Sequence, residues 1–166
     1  PLFHSLLEAL KREHSVNCEM NADLTKIDES TVELCIKAAP DGWENTERRS
    51  GGVAEGPTVV KLDGTYYMFY SCNDYRSKDY AVGVATAPSP LGPWEKQGPV
   101  ITKKNIGQPG TGHGDLFKDN KGNWQYVFHT HYSDTQVSPR RTAVVQLKIK
   151  GKKVTVVPGT FHFVER

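Results

Sequence analysis

From Gly56 onward the chain alternates short apolar runs with turn residues. The segment GPTVVKL reads as a strand, Asp63-Gly64 as a two-residue turn and TYYMFYS as the returning strand. Asp-Gly suits a type I′ hairpin, whose two central residues both need positive φ. A third strand, DYAVGVATA, is rich in small and β-branched residues. The Pro-Gly stretch PSPLGP turns the chain, and WEKQGPVI supplies a fourth, outer strand. The order then repeats: GDLFKD, the turn NKG, NWQYVFHTHY, RTAVVQLKI, the Lys150-Gly151 turn and KKVTVVP. Residues 1–17 have a different pattern. Phe3, Leu6, Leu7 and Leu10 form a short helical stripe beside Glu8, Lys11, Arg12 and Glu13.

The two units align without a gap at an offset of 58 residues, Gly56 on Gly114, Gly64 on Gly122, Tyr66 on Trp124 and Tyr70 on Phe128. Repeated four-stranded units of this length predict an all-β fold of β-propeller blades. A partial unit precedes them: CEMNADLTKID, TVELCIKAA and GWEN read as the third strand, connection and outer strand of an earlier blade, with Trp43-Glu44 echoing Trp94-Glu95. The expected organisation is an N-terminal segment, 1–17, and a partial propeller, 18–166. That is roughly half a ring, completed by further blades or by self-association, since a blade packs on neighbours through both faces.

Composition adds exclusions. The 166 residues carry a formal charge of +2, with basic residues only in short pairs, so no nucleic-acid stripe is present. No apolar run nears the roughly 20 residues that span a bilayer, so no membrane partner is expected. The N-terminus lacks the order of features of a signal peptide, and localisation is left open. Cys18, Cys35 and Cys72 are odd in number and far apart, which indicates buried or half-buried thiols, not a disulfide or zinc framework.

The repeat places Glu55 and His113 at equivalent positions, each at the start of a blade's first strand and just before a Gly. First strands line a propeller's central channel, so the two residues are candidates for one axial site. Gly56-Pro57 would hold the carboxylate in place, because Gly admits close backbone approach and Pro tolerates a strand's first position. The alternative is an ordinary solvated strand-end acid.

The stretch GGVAEGPTVVKLDGTYYMFYS, followed by DYAVGVATAPSPLGPWEK and then GTGHGDLF, YVFHTHY and PRRTAVV, resembles the family 43 glycoside hydrolases. These are five-bladed β-propellers acting on plant-type oligosaccharides and polysaccharides. The resemblance runs from about Cys18 to Pro158 and rests on the ordered set of motifs; residues 1–17 do not share it. It implies that Glu55 of the EGP motif is the general acid of an inverting hydrolysis of arabinose- or xylose-containing glycans. It also implies that His113 of the GHG motif helps hold an axial metal ion, usually calcium, largely through waters, and that Arg140, or less favourably Arg141, reaches the sugar. In an inverting pair a second carboxylate activates water about 6.5–9.5 Å away. The family's general-base and pKa-tuning Asp residues precede the EGP motif. Here Asp23, Asp28 and Asp41 precede Glu55, and none has the expected strand-start context, so neither role is assigned. The isolated chain is therefore expected to hydrolyse weakly or not at all. The rival reading is a non-catalytic carbohydrate-binding or assembly module derived from such a propeller.

Other residues carry weaker signals. His129 and His131, two apart on a strand, could share a face and bind zinc, or flank the sugar site and satisfy hydrogen bonds. His113 with Asp115 is another metal-type pair, better suited to calcium. Tyr66, Tyr67, Tyr70, Trp94, Trp124 and Trp43 could stack on sugars or pack between blades. GTGHG lacks the Lys-Ser/Thr and helix of a phosphate loop. Ser71 lacks the elbow of an exposed nucleophile.

Overall fold

The computed structural model describes residues 14–164. Eleven strands are present among them: β1 (His14–Met20), β2 (Ile27–Lys37), β3 (Ala54–Leu62), β4 (Thr65–Cys72), β5 (Ala81–Ala87), β6 (Glu95–Ile101), β7 (Gly112–Lys118), β8 (Trp124–Thr130), β9 (Arg141–Lys150), β10 (Lys153–Val156) and β11 (His162–Phe163). β3-β4-β5-β6 and β7-β8-β9-β10 are antiparallel four-stranded blades of a β-propeller, and β1-β2 is a two-stranded hairpin ahead of them. Asp63 and Gly64 have φ of 47° and 81°, as the type I′ turn requires.

Side-chain alternation explains the packing. On β4, Tyr67 and Phe69 point one way and Met68, Tyr70 and Cys72 the other. The first set joins Val82, Val84, Val100 and Ile101 against Tyr126, Phe128, Val145 and Leu147 of the second blade. The second set packs against Ile36 and Ala38 at the end of the hairpin, with Trp43 partly buried beside it. Each such side chain, fully buried, contributes about 1.5–3 kcal/mol relative to exposure.

The earlier blade differs from the sequence expectation. TVELCIKAA is mostly strand β2, not a connection, and GWEN is not an outer strand. Gly42–Glu44 is a single 3-10 turn, entered through Gly42 at φ 71°. Trp43 lies over Gly83, where a Cβ would come within 2.2 Å of its ring, and against Tyr70 at 5.9 Å. Trp43 is therefore a packing residue, and the Trp94-Glu95 echo is not structural. The short helix α1 (Lys103–Ile106) was not expected. It forms because Thr102 and Asn105 cap it reciprocally, each side chain accepting from the other's backbone N–H. β11 was also unforeseen; it extends the edge of β9 beyond β10. The N-terminal helical stripe falls on residues 1–13, outside the described residues, but His14–Asn17 belong to strand β1.

Candidate active site

Both inner strands carry one extra residue near their start, one position earlier in β7 than in β3 when the two are aligned at the 58-residue offset. Glu55 pairs with Ser71 and Thr58 with Phe69, so three steps on β3 face two on β4. Gly112 pairs with His129 and Asp115 with Val127, the same kind of bulge on β7. A bulge re-aims the side chains around it. In β3 the left-handed residue is Gly56, φ 57°; in β7 it is His113 itself, φ 51°.

The bulges bring the two titratable residues together. A Cβ on Gly56 would lie 3.1 Å from the His113 ring, so this glycine makes room for the imidazole. The His113 backbone N–H donates to Ser71 Oγ at 2.8 Å, and Ser71 is the strand partner of Glu55. Ser71 is thus a buried tie between blades. Glu55 is half-buried, and its Oε1 accepts from the Tyr80 hydroxyl at 2.9 Å. Tyr80 is fully buried; burial first, then the Glu55 charge, holds its hydroxyl well above the usual phenol range.

Three rings form a column. Tyr80 stacks on His129 (5.7 Å between centroids, 10° between planes), and His129 stacks on exposed His113 (6.3 Å, 22°). His129 Nε2 accepts from Arg140 Nη1 at 2.7 Å, because guanidinium can only donate. Burial, then the charges of Arg140 and His113, depress the His129 pKa to about 4. The ring is therefore neutral near pH 7 and able to accept. Arg140 also lies over the Tyr75 ring at 5.4 Å, while Tyr75's carbonyl is bonded to His131 Nε2 at 2.8 Å.

The structure therefore gathers Glu55, His113, His129 and Arg140. Arg141 goes elsewhere: its guanidinium lies over Phe163, at a cavity of about 670 Å³ that Arg140 also borders. His129 and His131 do not form a zinc pair. β8 ends at Thr130, and His131 is buried against Gly110 with its Nε2 committed to Tyr75. Asp115 accepts from the Thr58 hydroxyl and the Leu116 N–H. Among the described residues no three His, Cys, Asp or Glu side chains cluster as a metal cage. A single exposed imidazole fits a largely hydrated ion, not a directly coordinated calcium, which takes six to eight oxygens.

Tyr80 and Tyr75 escaped the sequence reading. The only signal for Tyr80 is indirect: Gly112 has no side chain because a Cβ there would sit 2.2 Å from the Tyr80 ring. The upstream carboxylates Asp23 and Asp28 lie in or beside the hairpin turn and accept from Thr25 and Ser30, and Asp41 precedes the 3-10 turn.

Residues 6–152 match the model of the glycosyl hydrolases family 43. That match starts inside the N-terminal segment that the motifs had set apart. An endo-1,4-β-xylanase from Bacteroides thetaiotaomicron is 39% identical, with TM-score 0.78 over 87% of this chain and 49% of its own. A β-D-galactofuranosidase of Aspergillus niger is 28% identical over 79% of this chain and 35% of its own length. A probable arabinan endo-1,5-α-L-arabinosidase A of Emericella nidulans is 25% identical over 66% of this chain and 34% of its own. The chain spans about half the solved xylanase and about a third of these curated relatives.

Proposed function

The chain belongs to glycosyl hydrolases family 43, and from that premise we propose that it carries the acid side of a glycosidase site for arabinose- or xylose-containing glycans. Glu55 is the proton donor of an inverting hydrolysis, and the carrying observation is its placement. The carboxyl is half-buried, held by Tyr80, and set beside His113 at the inner end of adjacent blades. Arg140, clamped between His129 and Tyr75, is the sugar-binding cation; its geometry favours it over Arg141. The substrate class is supported by similarity to a xylanase and an arabinanase.

His113 would hold a calcium ion through waters, and such an ion would place fixed positive charge beside the reacting sugar. Leaving-group protonation is the part assigned to this chain's own residues. A second carboxylate must activate water. Asp28 lies near the start of β2 but sits in the exposed hairpin and accepts from Ser30, while Asp23 and Asp41 lie at turns, so none is assigned that role and the 166-residue chain alone is expected to turn over poorly.

That last observation favours a second reading, a carbohydrate-binding or assembly module without catalysis. Exposed Leu24, Ile27 and Leu34 on the hairpin would then be covered by further blades or a second copy. Hydrolysis of xylo- and arabino-oligosaccharides at high protein concentration separates the readings. Glu55→Gln should lower any turnover by roughly 10²–10⁴, the usual worth of a general acid. Undiminished turnover removes Glu55 from the acid role. Glycan binding with no turnover in either protein favours the module, and a strict monomer in light scattering removes self-association.

A further inference from the structure

We propose that Tyr80 is a positioning residue for Glu55: its hydroxyl holds Oε1 of the carboxyl, so that the transferable proton is carried by the other oxygen. This rests on the reading of Glu55 as the acid, but its geometry stands apart from it. The Tyr80 hydroxyl reaches Oε1 at 2.9 Å from a fully buried ring. Packing fixes that ring from several sides. Gly112 leaves a space that a Cβ would close, at 2.2 Å from the ring. His129 stacks on one face nearly parallel, at 10°. The Tyr80 carbonyl accepts from Thr111 Oγ1 at 3.1 Å, and its N–H donates to the Ser77 carbonyl at 3.1 Å.

A buried phenol needs a partner, and a carboxylate is a strong one. Since Tyr80 keeps its proton, it donates to Glu55 in both protonation states of the acid. In the charged state this stabilises the carboxylate. In the neutral state it occupies one oxygen as acceptor and leaves the acidic proton on the other. Tyr80 thus sets both the orientation of the acid and the oxygen it uses, without touching substrate.

The test is the titration of Glu55, followed by NMR of protein carrying carboxyl-labelled glutamate, with Glu55→Gln assigning the resonance. Tyr80→Phe should move the Glu55 midpoint upward, the direction expected for losing one hydrogen bond to the charged form. Incorporating 3-fluorotyrosine at position 80 keeps the shape and makes a stronger donor, so the midpoint should move down. This second variant serves if Tyr80→Phe folds poorly. Tyr67→Phe removes a hydroxyl bonded to the Gly151 carbonyl instead and should leave the midpoint in place. An unmoved midpoint in the position-80 variants, or equal movement in Tyr67→Phe, overturns the inference. Movement as expected, together with undiminished hydrolysis by Glu55→Gln, keeps Tyr80 as the group that holds Glu55 and removes only the acid reading.

Discussion

The two blades share strand order, inner-strand bulge and a 58-residue spacing between the starts of β3 and β7, yet they are anchored differently. In the first blade, β4 and β5 are buried at nearly every position, since the hairpin covers one face and the second blade the other. In the second, β8 alternates: Tyr126, Phe128 and Thr130 are buried, while Val127 and His129 are half-exposed. Glu55 is rooted in the doubly packed blade and His113 in the singly packed one. The roles proposed for them fit this division, since a proton donor needs a fixed geometry, whereas a ligand to a hydrated ion can be presented from a more open surface.

The largest break in this comparison should come from the ion pairs that join each blade to what precedes it. Glu44 is only 2% exposed, and its carboxylate accepts from Tyr70 Oη at 2.7 Å, Lys96 Nζ at 2.6 Å and the Ala39 N–H at 2.5 Å. The counterpart, Lys152 with Glu95, has both side chains more than 60% exposed. Removing one member of a buried pair strands the other charge, while a surface pair is worth little. Lys96 keeps about a third of its side chain in water and Glu44 retains its bonds from Tyr70 and Ala39, so Lys96→Met should cost about 2 kcal/mol in urea unfolding, below the full buried-pair loss, and Lys152→Met should leave the midpoint unchanged. Similar losses in both would mean that the hairpin does not cover the first blade.

Strand order, the hairpin turn and the placement of Glu55 beside His113 were legible because each depends on local chemistry repeated 58 residues apart. The Glu44 anchor was not. Trp43-Glu44 looks like Trp94-Glu95 in sequence, but only the folded chain brings Tyr70 and Lys96 to that carboxylate, 26 and 52 residues away. Tyr80 was hidden for the same reason: its role depends on a glycine in the next blade. Arg140 and Arg141 are adjacent, and only their opposite directions on β9 and its approach separate them.

A pH-dependent effect tests the second blade's open side. Burial and Arg140 depress the His129 pKa from 6.5 to about 4. Between those values the unfolded chain binds a proton that the folded chain does not. Stability from this ring is therefore full above about pH 6.5, falls as pH drops and levels off below about pH 4. With partial solvent access, about 2 kcal/mol should be lost across the window. Urea midpoints in chelator, for wild type minus His129→Gln, isolate this from other groups. A flat difference curve would mean that the ring is no more desolvated than one in water.

The smallest effect separates the two bulges themselves. Each places one residue in the left-handed region, Gly56 in β3 and His113 in β7. A side chain there costs about 1–2 kcal/mol. Gly56→Ala takes on that cost and also presses a Cβ to 3.1 Å from the His113 ring, so it should destabilise by about 1–2 kcal/mol even though alanine restricts the unfolded chain. At position 113 the strain is already present. His113→Ala keeps it and loses the ring, whereas His113→Gly loses the ring and relieves it. His113→Gly should therefore be the more stable of the two by about 1 kcal/mol, against the usual order for a strand interior, where glycine is the weaker residue. Thermal unfolding of the pair reads this directly. If the alanine variant is the more stable, the His113 backbone is not left-handed in solution, and the imidazole is aimed by something other than the bulge.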